Sequence, residues 1–159
     1  MSTRKQKIEE ALDESRDYVN KVLNQVGDRW ETQVYSDGLQ WTVRQLVVHM
    51  ADAERGHNYQ IMNIAEGKDV IPEDFDVERY NAGMTKKTAD KTAEQARQEL
   101  DESRQALKTW LADLDDAKLD AEGRHASLRI LPVEQILQWM PIHERGHADD
   151  IAEALQIEV

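Results

Sequence analysis

Toward its C-terminal end the chain reads LPVEQILQWMPIHERGHADDIAEAL over residues 131–155. Apolar residues recur in this stretch every three or four positions, the spacing that places side chains on one face of an α-helix. His143 and His147 lie on that same face, together with Ile136, Met140, Ile151 and Ala154. Imidazoles at positions i and i+4 are separated by about 6 Å along the helix axis, so one metal ion can bind both. The stretch therefore predicts a core helix, from about Leu131 to Gln156, that carries a candidate metal-binding pair.

The same spacing predicts three further amphipathic helices, over about residues 4–26, 42–66 and 92–114. Ser2 or Thr3 suits the start of the first helix and Thr42 that of the second, since hydroxyl side chains cap free backbone N–H groups. Gly27 and Gly67 suit their ends. No strand pattern competes with these helices.

The four long helices each carry one apolar face, which favours an all-α fold. We expect an antiparallel four-helix bundle, with a long connection between helices 2 and 3. That connection extends from about Lys68 to Lys91, is long for a compact domain and contains a candidate short helix over residues 72–80.

Composition excludes several classes of function. With 159 residues the chain is expected to form a single domain, over residues 1–159. The net charge of -12 argues against binding to nucleic acid and to an anionic membrane surface. The absence of cysteine excludes disulfides, thiolate metal sites and a catalytic cysteine. With neither a secretory signal nor a membrane span in the sequence, we expect a cytoplasmic protein.

A third metal ligand could come from helix 2, which contains His49 and His57. On a helical wheel with His49 at the origin, the apolar residues of helix 2 centre near 80°, and His57 also lies at about 80°. Periodicity alone therefore favours His57, with His49 at the edge of the apolar face.

The segment WTVRQLVVHMADAER, residues 41–55, combined with the later HERGH, residues 143–147, resembles the DinB-like (DinB/YfiT-like) metalloprotein superfamily. The matching positions are Trp41, His49, Asp52, Glu54 and Arg55. This resemblance implies a four-helix bundle with one ligand histidine in helix 2 and a histidine pair in the last helix. It implies the ligand set His49, His143 and His147, leaving His57 as a core residue or a neighbour of the ligands. It also implies a homodimer.

Three neutral imidazoles suit a divalent metal, with Zn²⁺ or Ni²⁺ favoured, and leave coordination positions open. Such an ion can activate water or a thiol. The resemblance thus implies a metal-dependent enzyme acting on a small molecule, either a thiol S-transferase that uses a low-molecular-weight thiol or a hydrolase. The alternative is a non-catalytic metal-binding or protein-interaction bundle.

Two carboxylates near the ligands in sequence, Asp52 and Glu144, are candidates for a general base or for support of a ligand. Glu54 and Arg55 are expected to form ion pairs with other helices. His125 lies in a polar linker and is expected to be exposed to solvent.

Overall fold

The computed structural model describes residues 1–159, and the predicted all-α four-helix bundle is confirmed. The five helices, α1 to α5, extend in order over Thr3–Leu23, Val43–Ala65, Val77–Lys87, Ala93–Asp113 and Val133–Leu155. The bundle consists of α1, α2, α4 and α5, in which α1 packs on α5 and α2 contacts both α4 and α5. None of these helices has the length and apolar character needed to cross a bilayer.

Local sequence fixes where the bundle helices begin. Ser2 caps α1 by accepting a hydrogen bond from the backbone N–H of Lys5 at 3.3 Å. Thr42 and Gln45 form a reciprocal capping box at the start of α2, and Thr92 and Gln95 form another at the start of α4. Because each cap satisfies backbone N–H groups that have no partner within the helix, these boundaries agree closely with the predicted ones.

The long connection contains α3, which begins at Val77 and continues to Lys87 rather than ending near residue 80. Asp76 caps it by accepting from the backbone N–H of Arg79 at 3.1 Å. None of the eleven residues of α3 is buried. This helix therefore lies against the bundle without contributing to its core.

The expectation that the chain has no strands is wrong. β1 (Gln33–Ser36) pairs antiparallel with β2 (Leu39–Thr42), and β3 (Glu122–Arg124) pairs antiparallel with β4 (Ile130–Pro132). Strands of three or four residues are too short to display a convincing alternation of polar and apolar residues. The usable signal was the Asp37–Gly38 dipeptide, whose φ angles of 51° and 78° fit the two-residue turn typical of hairpins.

A layer of buried charge divides the core of the bundle. It consists of Arg16 on α1, Glu54 on α2, Arg104 on α4 and Glu144 on α5, which are 7, 5, 4 and 5% exposed. On each helix the charged residue lies between residues of one apolar cluster and residues of the other. The structure thus confirms the expected structural role of Glu54.

Opposite charges meet within this layer. Arg104 donates from Nε to Glu54 Oε1 at 2.7 Å and from a terminal nitrogen to Glu144 Oε1 at 3.2 Å. Arg16 pairs with both glutamates and also donates to the backbone carbonyl of Leu100 at 3.0 Å. Ser15 adds a hydrogen bond to Glu144 at 2.5 Å. Every charge has partners of the opposite sign, the condition under which ionised groups are tolerated in a core.

Replacing Glu54 by Gln should lower the free energy of unfolding by about 3 kcal/mol, since it leaves two buried guanidinium groups sharing one carboxylate. Urea denaturation monitored by circular dichroism measures the loss. The exposed Glu10 provides the matched control, because Glu10→Gln removes an equal charge outside the layer. Equal unfolding midpoints for the two variants would contradict the structural role assigned to the layer.

Candidate metal centre

Three histidines from two helices gather on one side of the bundle. His49 comes from α2, and His143 and His147 lie one turn apart on α5. One ligand atom from each ring lies within 4.8 Å of the other two. The Nε2 atoms of His143 and His147 are separated by 3.1 Å. Two nitrogen ligands of a tetrahedral zinc ion are separated by about 3.3 Å, so the pair has a suitable spacing.

Ser36 and Asp150 determine which nitrogen of His147 carries the proton. Ser36 Oγ lies 2.5 Å from Asp150 Oδ2 and 2.8 Å from His147 Nδ1. A carboxylate only accepts, so the serine hydroxyl donates to Asp150 and its oxygen accepts from His147 Nδ1–H. The Nε2 lone pair of His147 is then directed toward the other histidines. This arrangement, in which a ligand histidine donates its second N–H, is usual around protein-bound metals.

The aromatic ring of Trp41 fixes the position of His49. The two ring centroids are 4.6 Å apart with an interplanar angle of 36°. The His49 ring lies edge-on to both α5 histidines, with centroid separations of 5.8 Å to His143 and 5.3 Å to His147. Trp41 belongs to β2 and is 7% exposed, so the first hairpin supplies contacts to both helices of the centre.

Burial keeps the three rings neutral. Burial, with a smaller contribution from the neighbouring histidines, lowers the pKa of His49 to about 4 and that of His147 to about 3. Burial also lowers the pKa of His143. Neutral imidazole is the form that binds metal. Three neutral nitrogen donors that converge at this distance fit a divalent cation such as zinc, and no thiolate is needed.

A cavity of about 550 Å³ adjoins the centre, and His49 and His143 form part of its lining. Asp52, one turn after His49 on α2, also lines it. Its Oδ1 accepts from Arg55 at 2.8 Å and from the Tyr80 hydroxyl at 3.4 Å, while Oδ2 makes no hydrogen bond. Burial and the nearby Asp52 raise the pKa of Tyr80, so its hydroxyl remains a donor. The structure therefore places Asp52 at the cavity with one free oxygen.

Glu144 lies elsewhere. All its hydrogen bonds go to Ser15, Arg16 and Arg104 in the buried charge layer, and it does not line the cavity. It follows His143 by one position, about 100° around the helix, which directs it into the bundle instead of toward the cavity.

The two remaining histidines form a separate pair. His57 Nε2 and His125 Nε2 are 3.2 Å apart, and the two ring planes are nearly parallel, with an interplanar angle of 8°. The backbone N–H of Ser127 donates to His125 Nδ1 at 3.0 Å, so the His125 proton lies on Nε2 and is donated to His57. His57 therefore lies beside the three-histidine group, with its ring edge-on to His143 at a centroid separation of 6.1 Å, while its Nε2 is engaged by His125. The expectation that His125 is exposed is wrong, because the loop between β3 and β4 places its ring against His57 and Trp139.

Two residues of the centre, Ser36 and Asp150, were not predicted from the sequence. Ser36 precedes the Asp37–Gly38 turn, and a hairpin prediction from that dipeptide would have drawn attention to it. Asp150 follows His147 by three positions and so lies on a neighbouring part of the same helix face. Nothing in the sequence pattern connects Ser36 with Asp150, since the contact is made only when the hairpin packs on α5.

A family model described as the DinB superfamily matches residues 11–151. The chain belongs to the DinB superfamily. Among solved structures, this DinB-superfamily chain is similar to YfiT from Bacillus subtilis, with a TM-score of 0.76 and 23% sequence identity. The match covers 98% of this chain and 89% of that chain. YfiT is described as a probable metal-dependent hydrolase with an unusual four-helix bundle topology. At this identity the likeness establishes the shared fold. No curated protein sequence matches significantly.

Replacing Ser36 by Ala should weaken zinc binding by about 10- to 100-fold, because His147 loses the partner that orients its ring. Competition with a chromophoric zinc chelator measures the affinity. Ser103→Ala is the matched control, since the Ser103 hydroxyl makes no hydrogen bond in the bundle. An unchanged affinity in Ser36→Ala would show that the Ser36 contact does not support the ligand.

Zinc should remain bound when the pH is lowered from 7.5 to 5.5. An ordinary histidine with a pKa of about 6.5 would be mostly protonated at pH 5.5, whereas the lowered values of His49 and His147 keep both rings neutral to about pH 4. Protons therefore compete with the metal only as the pH falls through the folded-state values. Zinc content after dialysis at each pH tests this, and half-release near pH 6.5 would contradict it.

Proposed function

We propose that this protein is a metal-dependent hydrolase in which His49, His143 and His147 hold a divalent cation, Zn²⁺ or Ni²⁺. The observation that carries the proposal is the convergence of three neutral nitrogen donors at one side of a cavity large enough for a small molecule. A cation held by three histidines supplies a Lewis acid and lowers the pKa of bound water. The description of YfiT as a probable metal-dependent hydrolase supports the same conclusion.

Within this proposal Asp52 is the general base. It lines the cavity beside His49, and its Oδ2 is free to take the proton from the attacking water. Arg55 and Tyr80 both donate to Oδ1, which holds the carboxylate in place and leaves Oδ2 without a hydrogen bond. A positioned carboxylate that accepts a proton in this way contributes rate by general base catalysis.

Glu144 takes a supporting role in the same scheme. Its carboxylate is engaged by two guanidinium groups and a hydroxyl in the core, so no lone pair is directed at the cavity. Its position between His143 and His147 on α5 means that its ion pairs hold the segment bearing both ligands.

A non-catalytic metal-binding bundle is the main alternative. A structural zinc site is usually closed by four protein ligands, whereas only three residues gather here and two of them line a cavity. This open arrangement favours catalysis over simple metal storage.

A thiol as the nucleophile stays a prediction. Because the chain has no cysteine, a thiol would have to enter as a cosubstrate and occupy the same cavity. The homodimer and the cytoplasmic location also stay predictions.

His147→Ala should reduce bound zinc from one ion per chain to nearly none, because two imidazoles from different helices retain a cation poorly. Plasma mass spectrometry of the purified chain measures zinc per protein. His125→Ala is the control, since His125 pairs with His57 outside the three-histidine group. Equal zinc content in His147→Ala and in the unaltered chain would reject the proposed ligand set.

Asp52→Asn should retain zinc and slow hydrolysis of 4-nitrophenyl acetate by about 100-fold or more, because the amide cannot take the proton from water. Initial rates on zinc-loaded protein give the comparison, with the exposed Asp113→Asn as a matched control. If the rate of Asp52→Asn equals that of the control, Asp52 is not the base.

A further inference from the structure

The cavity beside the three-histidine centre has walls from several parts of the chain. Its lining includes residues of α2, of the connection before α3, of α3 itself, of the β3–β4 loop and of α5. Its volume of about 550 Å³ lies within the range of sites that enclose small molecules. The chemistry of these walls therefore indicates which molecules the centre receives.

The walls away from the histidines are largely apolar and aromatic. The side chains that set this character are Ile71, Phe75, Val77, Tyr80 and Trp139. The rings of Phe75 and Tyr80 lie 5.6 Å apart, and Trp139 meets His125 edge-on at 5.5 Å. Apolar surface of this kind gains free energy when a ligand removes it from water.

The α3 helix borders the cavity with apolar side chains that the rest of the protein leaves partly uncovered. Val77 is 44% exposed and Tyr80 is 42% exposed, and both line the cavity. A surface helix ordinarily buries one apolar face against its own protein, yet no residue of α3 is buried. An apolar molecule in the cavity would cover these side chains and supply that missing face.

The cavity offers no cationic side chain. No lysine or arginine lines the cavity, whereas the carboxylates of Asp37 and Asp52 are both part of its lining. Three guanidinium groups contact lining residues without lining the cavity, and each already has a partner. Arg55 pairs with Asp52, Arg124 donates to the Ile71 carbonyl and pairs with Glu73, and Arg129 lies over the Trp139 ring at 5.3 Å. A carboxylate or phosphate group placed against these walls would be desolvated without a partner of opposite charge, which is strongly unfavourable.

We infer that the cavity selects uncharged, predominantly apolar small molecules and excludes those with an anionic group away from the reacting end. The inference rests on the proposed function in one respect, that the three-histidine centre marks the reacting end. It narrows that function, because an anionic low-molecular-weight thiol is a poor fit to these walls. The molecule that fits these walls is neutral and has an aromatic or branched apolar body.

Two thiols that differ only at the far end test this selectivity. Phenylmethanethiol and 4-(sulfanylmethyl)benzoate present the same sulfur to the metal, but the second places a carboxylate against the apolar walls. Calorimetric titration of zinc-loaded protein should give at least about tenfold tighter binding of the uncharged thiol. Equal affinities, or tighter binding of the benzoate, would overturn the inference.

A charge introduced into the wall provides the converse test. Val77→Lys should strengthen binding of 4-(sulfanylmethyl)benzoate and reduce the preference for the uncharged thiol. Val77→Gln is the matched control, because it removes the same apolar side chain without adding a charge. Circular dichroism verifies that both variants keep their helical content. If both variants change the preference equally, the charge of the lining does not set the selectivity.

The selectivity can be separated from metal binding with phenylmethanol and 4-(hydroxymethyl)benzoate, which lack the sulfur anchor. The His147→Ala variant should retain the preference for the uncharged alcohol, because the walls do not depend on the metal. If the unaltered chain binds no zinc but prefers the uncharged probes, the proposed function fails and the inference stands. If the unaltered chain binds zinc but shows no preference between the charged and uncharged probes, the inference fails and the proposed function stands.

Discussion

The buried charge layer is the constraint on which the rest of the structure depends. It joins all four bundle helices, and Glu54 and Glu144 share both arginines across it. Sliding α2 along α5 by one turn would separate these charges within the core, at a cost of several kcal/mol. An all-apolar interface would tolerate such a shift far better. Glu54 follows His49 by five positions on α2, and Glu144 lies between the two histidines of α5. The ion pairs that fix how α2 and α5 align along the bundle axis therefore also align His49 with His143 and His147.

The bundle was predictable because its information is local. Apolar spacing located α1, α2, α4 and α5 to within a few residues, and hydroxyl caps marked where α1 and α2 begin. The His143–His147 pair followed from a spacing of four. The choice between His49 and His57 depended instead on contacts between helices. The α2 helix buries residues around much of its circumference, since it contacts both α4 and α5. A helical wheel finds its apolar side but does not tell which partner helix a given residue meets. The family resemblance indicated His49 where periodicity favoured His57.

The hairpins and their contacts could not be read from helix spacing. Ser36 and Asp150 are 114 positions apart and meet only when β1 packs on α5. The five histidines show the same limit, because the ligand atoms of three converge while the other two are hydrogen-bonded to each other. The lone pair of His147 is directed at His143 and His49, whereas the Nε2 atoms of His57 and His125 already satisfy each other. Counting histidines along the chain would not reveal this division.

The first hairpin has a thermodynamic consequence. It contributes Ser36 to His147 and Trp41 to His49, so both helices of the centre depend on a small sheet outside the bundle. Two-stranded hairpins have little stability of their own. Linkage requires that if an ordered hairpin strengthens cation binding, the bound cation strengthens the hairpin by the same free energy. Slower exchange of the amide hydrogens in residues 33–42 would therefore report occupancy of a site whose ligands lie entirely on other elements.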